Sequence, residues 1–334
     1  MKKLIRQNYG TCTFHESLLV SVMNNDHLIL EQLIKYRPKY QYLTGCDITH
    51  FTQTKSKLLP FNNLSLLHVA AFYDSLESFV TIHKLTKIPV FVQTDQSLQP
   101  IHYACYSHSI EIATYILTLF PDVIDQCQQH QYSLFYYAAA SNKGSSEQII
   151  QLLKSHKATF ESTLSKNYNP IYKAIEHNNY PVLKSLLNIH PSNHHPKDTY
   201  STPLITAISY HLIDVVHLLL QNGEDPTFVT ADGKCALSQA CYTNYKTKRN
   251  IDRNFEIIVA LLEAIGDNEI EPPNLETSGP IHWICQSKSP EIAKLFFEIH
   301  PEINVNRVDE FSVSGPLLLA QSEMPDSDIV EMLR

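Results

Sequence analysis

The sequence predicts an all-α solenoid, a row of short helix pairs in which no pair can bury its own apolar faces. Three observations predict it. Residues 202–226 read by themselves as helix, tight link, second helix and turn. Their first six residues recur along the chain. The recurrence keeps a period close to 33 residues.

The segment at 202–226 justifies each part. Thr202 can cap the first helix with its hydroxyl, and Pro203 suits the first helical position, where no N–H is needed. Leu204, Ala207 and Ile208 share one face at i, i+3, i+4. Val215, Val216, Leu218, Leu219 and Leu220 make a second apolar face. Gly223 can take the left-handed conformation that ends a helix, and Pro226 prevents resumption. Similar openings stand at residues 65–70, 99–104, 133–138, 169–174, 234–240, 279–284 and 315–320. The last positions of these openings, with that of 202–207, fall at 70, 104, 138, 174, 207, 240, 284 and 320, in steps of 34, 34, 36, 33, 33, 44 and 36.

On these residues the chain resembles the ankyrin-repeat family. The family's T-P-L-H-x-A signature is matched best by Thr202-Pro203-Leu204-Ile205-Thr206-Ala207, by Gln99-Pro100-Ile101-His102-Tyr103-Ala104 and by Gly279-Pro280-Ile281-His282-Trp283-Ile284. Its G-x-D-P and D-x-x-G elements occur in good form as Gly223, Asp225 and Pro226 and as Asp232-Gly233. Tetratricopeptide repeats share a period near 34 but lack Pro-Leu-His at the start of the first helix. The resemblance runs from Ser65 to the end, with a degenerate unit before it. It implies about eight or nine helix pairs with short turns or hairpins on one edge, and binding rather than chemistry.

Residues 1–64 read as a loose tail, a variant capping repeat and a long connection. The capping pair spans 14–23 and 27–36, joined at Asn24-Asn25-Asp26. The connection at 37–64 carries Tyr40, Tyr42, Phe51, Leu58, Leu59 and Phe61, is too apolar for a free linker, and is expected to fold back on the cap. Residues 65–334 read as one continuous domain. Outer helices are expected near 76–85, 110–119, 146–155, 180–189, 212–221, 254–264 and 290–299. The long step of 44 places an insertion at about 243–253. Several helices end in X-Pro, at Pro38, Pro121, Pro191 and Pro301, where Gly would serve in the family consensus; the whole chain has 8 Gly. The last residues, 328–334, enter another outer helix, expected either to cap the stack, to continue in a longer protein, or to be covered by a partner.

Composition bounds the function. Hydrophobic residues are 43% and charged residues 18%, so a continuous core is affordable and the polar surface is largely uncharged. Net charge is −8, which argues against a nucleic-acid or anionic-membrane surface. No apolar run is long enough for a membrane span. The N-terminus starts basic but lacks an apolar region, so no secretory signal is read. The 7 cysteines include no C-x-x-C pair; Cys105, Cys241 and Cys285 fall where a small buried residue is expected. A cytoplasmic protein is expected.

No catalytic motif, cofactor site or metal site is read. His68, His102 and His282 occupy the signature's fourth position, where the resemblance implies an imidazole tying backbone groups of adjacent turns. Together with Pro203 they are structural. His190, His194 and His195 lack matching ligands and read as loop histidines, and Lys246-Thr247-Lys248-Arg249 reads as a solvated loop. The resemblance places partner-binding residues after the paired small residues of each inner helix, on the concave face: Phe72, Tyr73, Tyr106, Ser107, Glu176, His177, Tyr210, Tyr242 and Gln286. Tyrosine is enriched in that row, and tyrosine offers area with a polar tip. The expected function is a non-enzymatic protein–protein interaction scaffold that holds a protein partner along the concave face and loop tips. The alternative is a structural subunit of a larger assembly, such as a cytoskeletal array.

Overall fold

The inner helices are too short to exist alone, and this decides how the chain is built. The computed structural model describes residues 13–36, 44–46, 59, 64–86, 88–124, 132–141, 147–160, 168–190, 200–242, 248–266, 282–284 and 290–301. Two units are formed, Met1–His190 and Pro191–Arg334. The described part of the first holds five helix pairs: α1 (Phe14–Met23) with α2 (His27–Tyr36), α3 (Leu66–Tyr73) with α4 (Leu76–Leu85), and α5 (Pro100–Ser107) with α6 (Ile110–Leu119). They continue as α7 (Leu134–Ala139) with α8 (Glu147–Ser155) and α9 (Pro170–Glu176) with α10 (Tyr180–Leu187). The second holds α11 (Pro203–Ser209) with α12 (Ile213–Gln221), α13 (Ala236–Tyr242) with α14 (Lys248–Ile265), and α15 (Pro290–Ile299) after a helical run at 282–284.

Within the first unit, inner helices α1, α3, α5, α7 and α9 pack each on the next, and outer helices α2, α4, α6, α8 and α10 form a second layer. In the second unit α11 packs on α13, α12 on α14, and α14 on α15. An isolated helix of 6 to 8 residues is unstable in water. Here α5 is buried on all sides, with every residue from Pro100 to Ser107 buried. Ala70, Ala71, Ala104, Cys105, Ala138 and Ala139 are fully buried and let the inner helices approach closely. The outer helices are amphipathic instead: α8 buries Ile149, Ile150 and Leu153 and leaves its other face to solvent.

Two segments differ from the sequence reading. β1 (Thr44–Cys46), within the long connection, pairs antiparallel with β2 (Leu64–Ser65), Thr44 opposite Ser65 and Cys46 opposite Leu64. Leu59 and Leu64 are fully buried; most of the connection lies outside the described residues. Helix α14 starts at Lys248, inside the stretch read as an insertion. No Gly or Pro interrupts residues 236–265. Once residues 254–265 are packed, extending the helix backward adds one hydrogen bond per residue with no new nucleation.

The turn between inner and outer helix repeats with one geometry. Asn25, Asp74, His108, Asn178 and His211 have φ of 55, 57, 57, 49 and 54°. Each is followed by an N–H that reaches back five residues: Asp26 to Ser21, Ser75 to Ala70, Ser109 to Ala104, Asn179 to Ala174 and Leu212 to Ala207, at 2.8–3.1 Å. This is the left-handed helix stop that glycine usually supplies. Asn, Asp and His are among the side chains that enter this region most readily. The economy in glycine therefore comes from these residues as well as from X-Pro.

Side chains beside the turns bridge to adjacent repeats. Ser107 and Ser109 both donate through Oγ to the carbonyl of Ala71, at 2.9 and 2.7 Å. His108 Nε2 lies 2.9 Å from the carbonyl of Ala138, and Asn179 Nδ2 donates to that of Ser141 at 3.3 Å. In the first pair, Asn25 accepts from the Ser78 N–H at 3.0 Å and bonds Glu77. The Ala71 carbonyl, at a helix end, is thus satisfied by the neighbouring repeat.

The outer helices show one strained substitute. After α12, the N–H of Gly223 (φ 82°) bonds Leu220 and that of Glu224 bonds Leu219. After α8, Lys157 (φ 59°) bonds Lys154 and Ala158 bonds Leu153 in the same pattern. A lysine pays about 1 kcal/mol for this conformation where glycine pays little. Replacement Lys157→Gly is therefore expected to raise the unfolding midpoint, after the entropy that glycine adds to the unfolded chain is subtracted. Thermal unfolding measures it, with Lys157→Ala, which keeps the strain, as the control that gains nothing.

Candidate interaction surface

The fourth position of each inner helix joins one repeat to the next. His68 is fully buried. Its Nδ1 accepts from the Ser65 N–H at 3.2 Å and the Ser65 hydroxyl at 2.7 Å, and its Nε2 lies 3.0 Å from the Leu98 carbonyl, just ahead of α5. One neutral tautomer, with the proton on Nε2, serves all three partners. Tyr103, at the fifth position of the next repeat, meets the ring edge-on at 5.1 Å. His102 repeats the arrangement: its Nδ1 accepts from the Gln99 N–H at 3.0 Å, and Tyr137 stands edge-on at 5.0 Å. His282 is also fully buried. Pro203 opens α11, where the Thr202 hydroxyl accepts from the Ile205 N–H at 3.1 Å.

The row after the small residues divides by burial. Phe72, Tyr106 and Ser107 are 4, 5 and 7% exposed. The Phe72 and Tyr106 rings are near-parallel at 6.4 Å, and Ser107 is hydrogen-bonded to Ala71 and Tyr103. The sequence reading assigned these three to a partner; packing between adjacent repeats takes up nearly all of their surface. Tyr73 and His177 are half-buried, and Glu176 and Tyr210 are exposed. Burial holds His177 below the ordinary imidazole range, and the neighbouring Lys173 adds to this. The side chain of Tyr242 and all of Gln286 lie outside the described residues.

A tyrosine cluster lies where α7 and α9 begin. Tyr132 stacks on Tyr136 at 4.8 Å, and Tyr168 stands edge-on to both, at 4.7 and 6.0 Å. The ammonium of Lys173 sits 5.7 Å from the centre of the Tyr136 ring and 2.9 Å from Glu176. Burial first, then the Glu176 charge, pushes the Tyr136 phenol up to about 12. The sequence reading missed Tyr132 and Tyr136. The available signal was a tyrosine directly before the capping residue in two successive repeats, and tyrosine replacing histidine at the fourth position between them.

Comparison with known proteins bears on the repeat fold. Residues 134–230 match the model of ankyrin repeats in three copies. Residues 134–230 are ankyrin repeats. The chain shares its fold with the human ASB11 ankyrin repeat domain, at 18% identity and a TM-score of 0.51, over 77% of this chain and 98% of that one. The ankyrin repeat domain of Bcl-3, a member of the IkappaB family, aligns at 14% identity and a TM-score of 0.46, over 80% of this chain and 97% of that one. No curated protein matches the sequence. Ankyrin repeats are general protein-interaction modules.

Other candidates resolve quickly. Among the described residues no three His, Cys, Asp or Glu side chains stand together to hold a metal ion, and no helix is long and apolar enough to cross a membrane. His190 stacks on Phe160 at 4.7 Å; His194 and His195 lie outside the described residues. So do Lys246 and Thr247, and the side chains of Lys248 and Arg249. Cys105, Cys235 and Cys241 are buried thiols.

The His68 joint has a pH signature. Desolvation lowers its folded-state value from 6.5 to about 4, against the opposing pull of the Leu98 carbonyl. The unfolded chain therefore takes the proton first on acidification. The stability held by neutral His68 is whole above 6.5 and is lost as pH falls toward 4, on the order of 3 kcal/mol when complete. Denaturant unfolding at pH 7 and pH 4.5 is expected to show a smaller acid loss for His68→Asn than for the native chain. Equal losses would remove His68 as the cause.

Proposed function

We propose that this chain is a non-enzymatic scaffold that binds a protein partner along the inner-helix face and loop tips of its repeats, in the cytoplasm. The observation that supports it is the split in the row after the small residues. Three members complete the repeat–repeat packing, while Tyr73, Glu176, His177 and Tyr210 keep surface on helices whose cores are already full. Tyr242 and Gln286 hold the corresponding sequence positions after the small residues of their own repeats. A tyrosine offers a partner large area and a polar group at the entropy cost of two side-chain torsions. Chemistry has no comparable support: the buried imidazole of His68 is committed to backbone partners. The buried thiols fit a reducing compartment.

The test is cross-linking with mass spectrometry in a native extract, followed by binding of the captured partner to purified variants. Tyr73→Ala, His177→Ala and Tyr210→Ala combined are expected to weaken binding by about tenfold or more, with an unchanged circular dichroism spectrum. Full-strength binding by that folded triple variant, or cross-links confined to the outer helices, would overturn the assignment of the face.

A further inference from the structure

We propose that Tyr132, Tyr136, Tyr168 and Glu176 form a recognition site for a cationic side chain, arginine above all, carried on a basic extended segment of the partner. This deepens the inner-helix-face reading and rests on it.

The fold prepares this position. In two other repeats the fourth-position ring meets a neutral ring from the next repeat, His68 with Tyr103 and His102 with Tyr137, and all four are buried. Between α7 and α9 the same two positions hold Tyr136 and Lys173, a ring and a cation. The Tyr136 ring is thus already a cation acceptor, with its neighbour Tyr132 stacked near-parallel. Tyr132, Tyr136 and Tyr168 are each half-buried, so the cluster keeps surface for an outside group.

Charge decides which group. Lys173 is the more sheltered partner, its side chain 19% exposed against 41% for Glu176. What faces outward is a carboxylate beside aromatic rings. A guanidinium suits that pair better than an ammonium does, because its plane stacks on a ring while its N–H fork meets a carboxylate. An acidic segment would meet Glu176 with like charge. The chain's net charge of −8 steers a basic segment in the same direction.

The test uses the full chain and defined probes. Dye-labelled peptides of about twelve residues, built from Gly and Ser with interspersed Arg, Lys or Glu, are titrated by fluorescence anisotropy at low salt. The Arg peptide is expected to bind, the Lys peptide several-fold more weakly, and the Glu peptide not at all. Glu176→Gln is expected to weaken the Arg peptide about fivefold, and Glu176→Lys to abolish it. Tyr136→Leu should weaken it further. If that variant misfolds, the two exposed Glu176 variants still decide, with unfolding midpoints as the check on folding. Equal binding of Arg and Glu peptides, or undiminished Arg-peptide binding by Glu176→Lys, overturns the proposal. Such a failure leaves the scaffold reading standing where the captured partner still cross-links to the inner-helix face. Cross-links on the outer helices alone would sink that reading separately.

Discussion

The structure depends on inner helices that exist only between neighbours. Helix α7 has 6 residues and α5 has 8, and neither length repays the cost of helix nucleation in water. What holds them is burial against their neighbours, with only Tyr136 of the two helices keeping partial exposure. That burial in turn means that the polar ends of each helix must find donors outside it. The Ala71 carbonyl receives Ser107 and Ser109 from the next repeat, and the Ala138 carbonyl faces His108 from the previous one. Apolar packing drives the stacking, and these bonds remove the penalty that stacking would otherwise impose, since an unsatisfied buried carbonyl costs about 1–3 kcal/mol. Removal of one repeat therefore harms two neighbours twice, through lost contact and through exposed helix ends.

The same logic explains the poverty in glycine. Among the described residues, a left-handed residue stands at five turns between inner and outer helices, and the chain uses Asn25, Asp74, His108, Asn178 and His211. The strain of a non-glycine residue there is about 1 kcal/mol, and replacing glycine restricts the unfolded chain by roughly 0.4–1 kcal/mol. The second effect offsets part of the first, and the balance turns on what the side chain does next. Asn25 bonds the Ser78 N–H and Glu77, and His108 reaches Ala138. A glycine could close the helix but could not make those bonds.

Much of this was legible in the sequence, for physical reasons. Pro100, Pro170 and Pro203 mark helix starts because an N–H is surplus there, and the period of the small residues follows from close helix approach. Helices α1, α2, α4, α6 and α15 fall on the spans read from their apolar pattern. Three things were hidden. The β1–β2 pairing is a tertiary contact between segments too short to show a strand pattern. The early start of α14 depends on packing further along the helix, not on residues 248–253 themselves. The fate of Phe72, Tyr106 and Ser107 depends on the neighbouring repeat, because an aromatic at that position can turn into the joint or away from it. Periodicity locates the row but not the rotamers that decide which members remain open.

That division gives the surface its character. Where the fourth-position group is histidine, a neutral imidazole bonded to Ser65 and Leu98 seals the joint, and the fifth-position tyrosine closes over it. Where it is Tyr136, the phenol has no short reach back to the capping N–H; the Ser133 hydroxyl caps that helix instead, accepting from the Tyr136 N–H at 3.2 Å. Relieved of the capping task, the ring is available to stack with Tyr132 and to carry Lys173. One change of side chain at the joint thus moves an aromatic from structural duty to the surface. It does so without loosening the stack, since Ser133 also donates to the Phe160 carbonyl at 2.7 Å and keeps the repeat tied to its own outer segment.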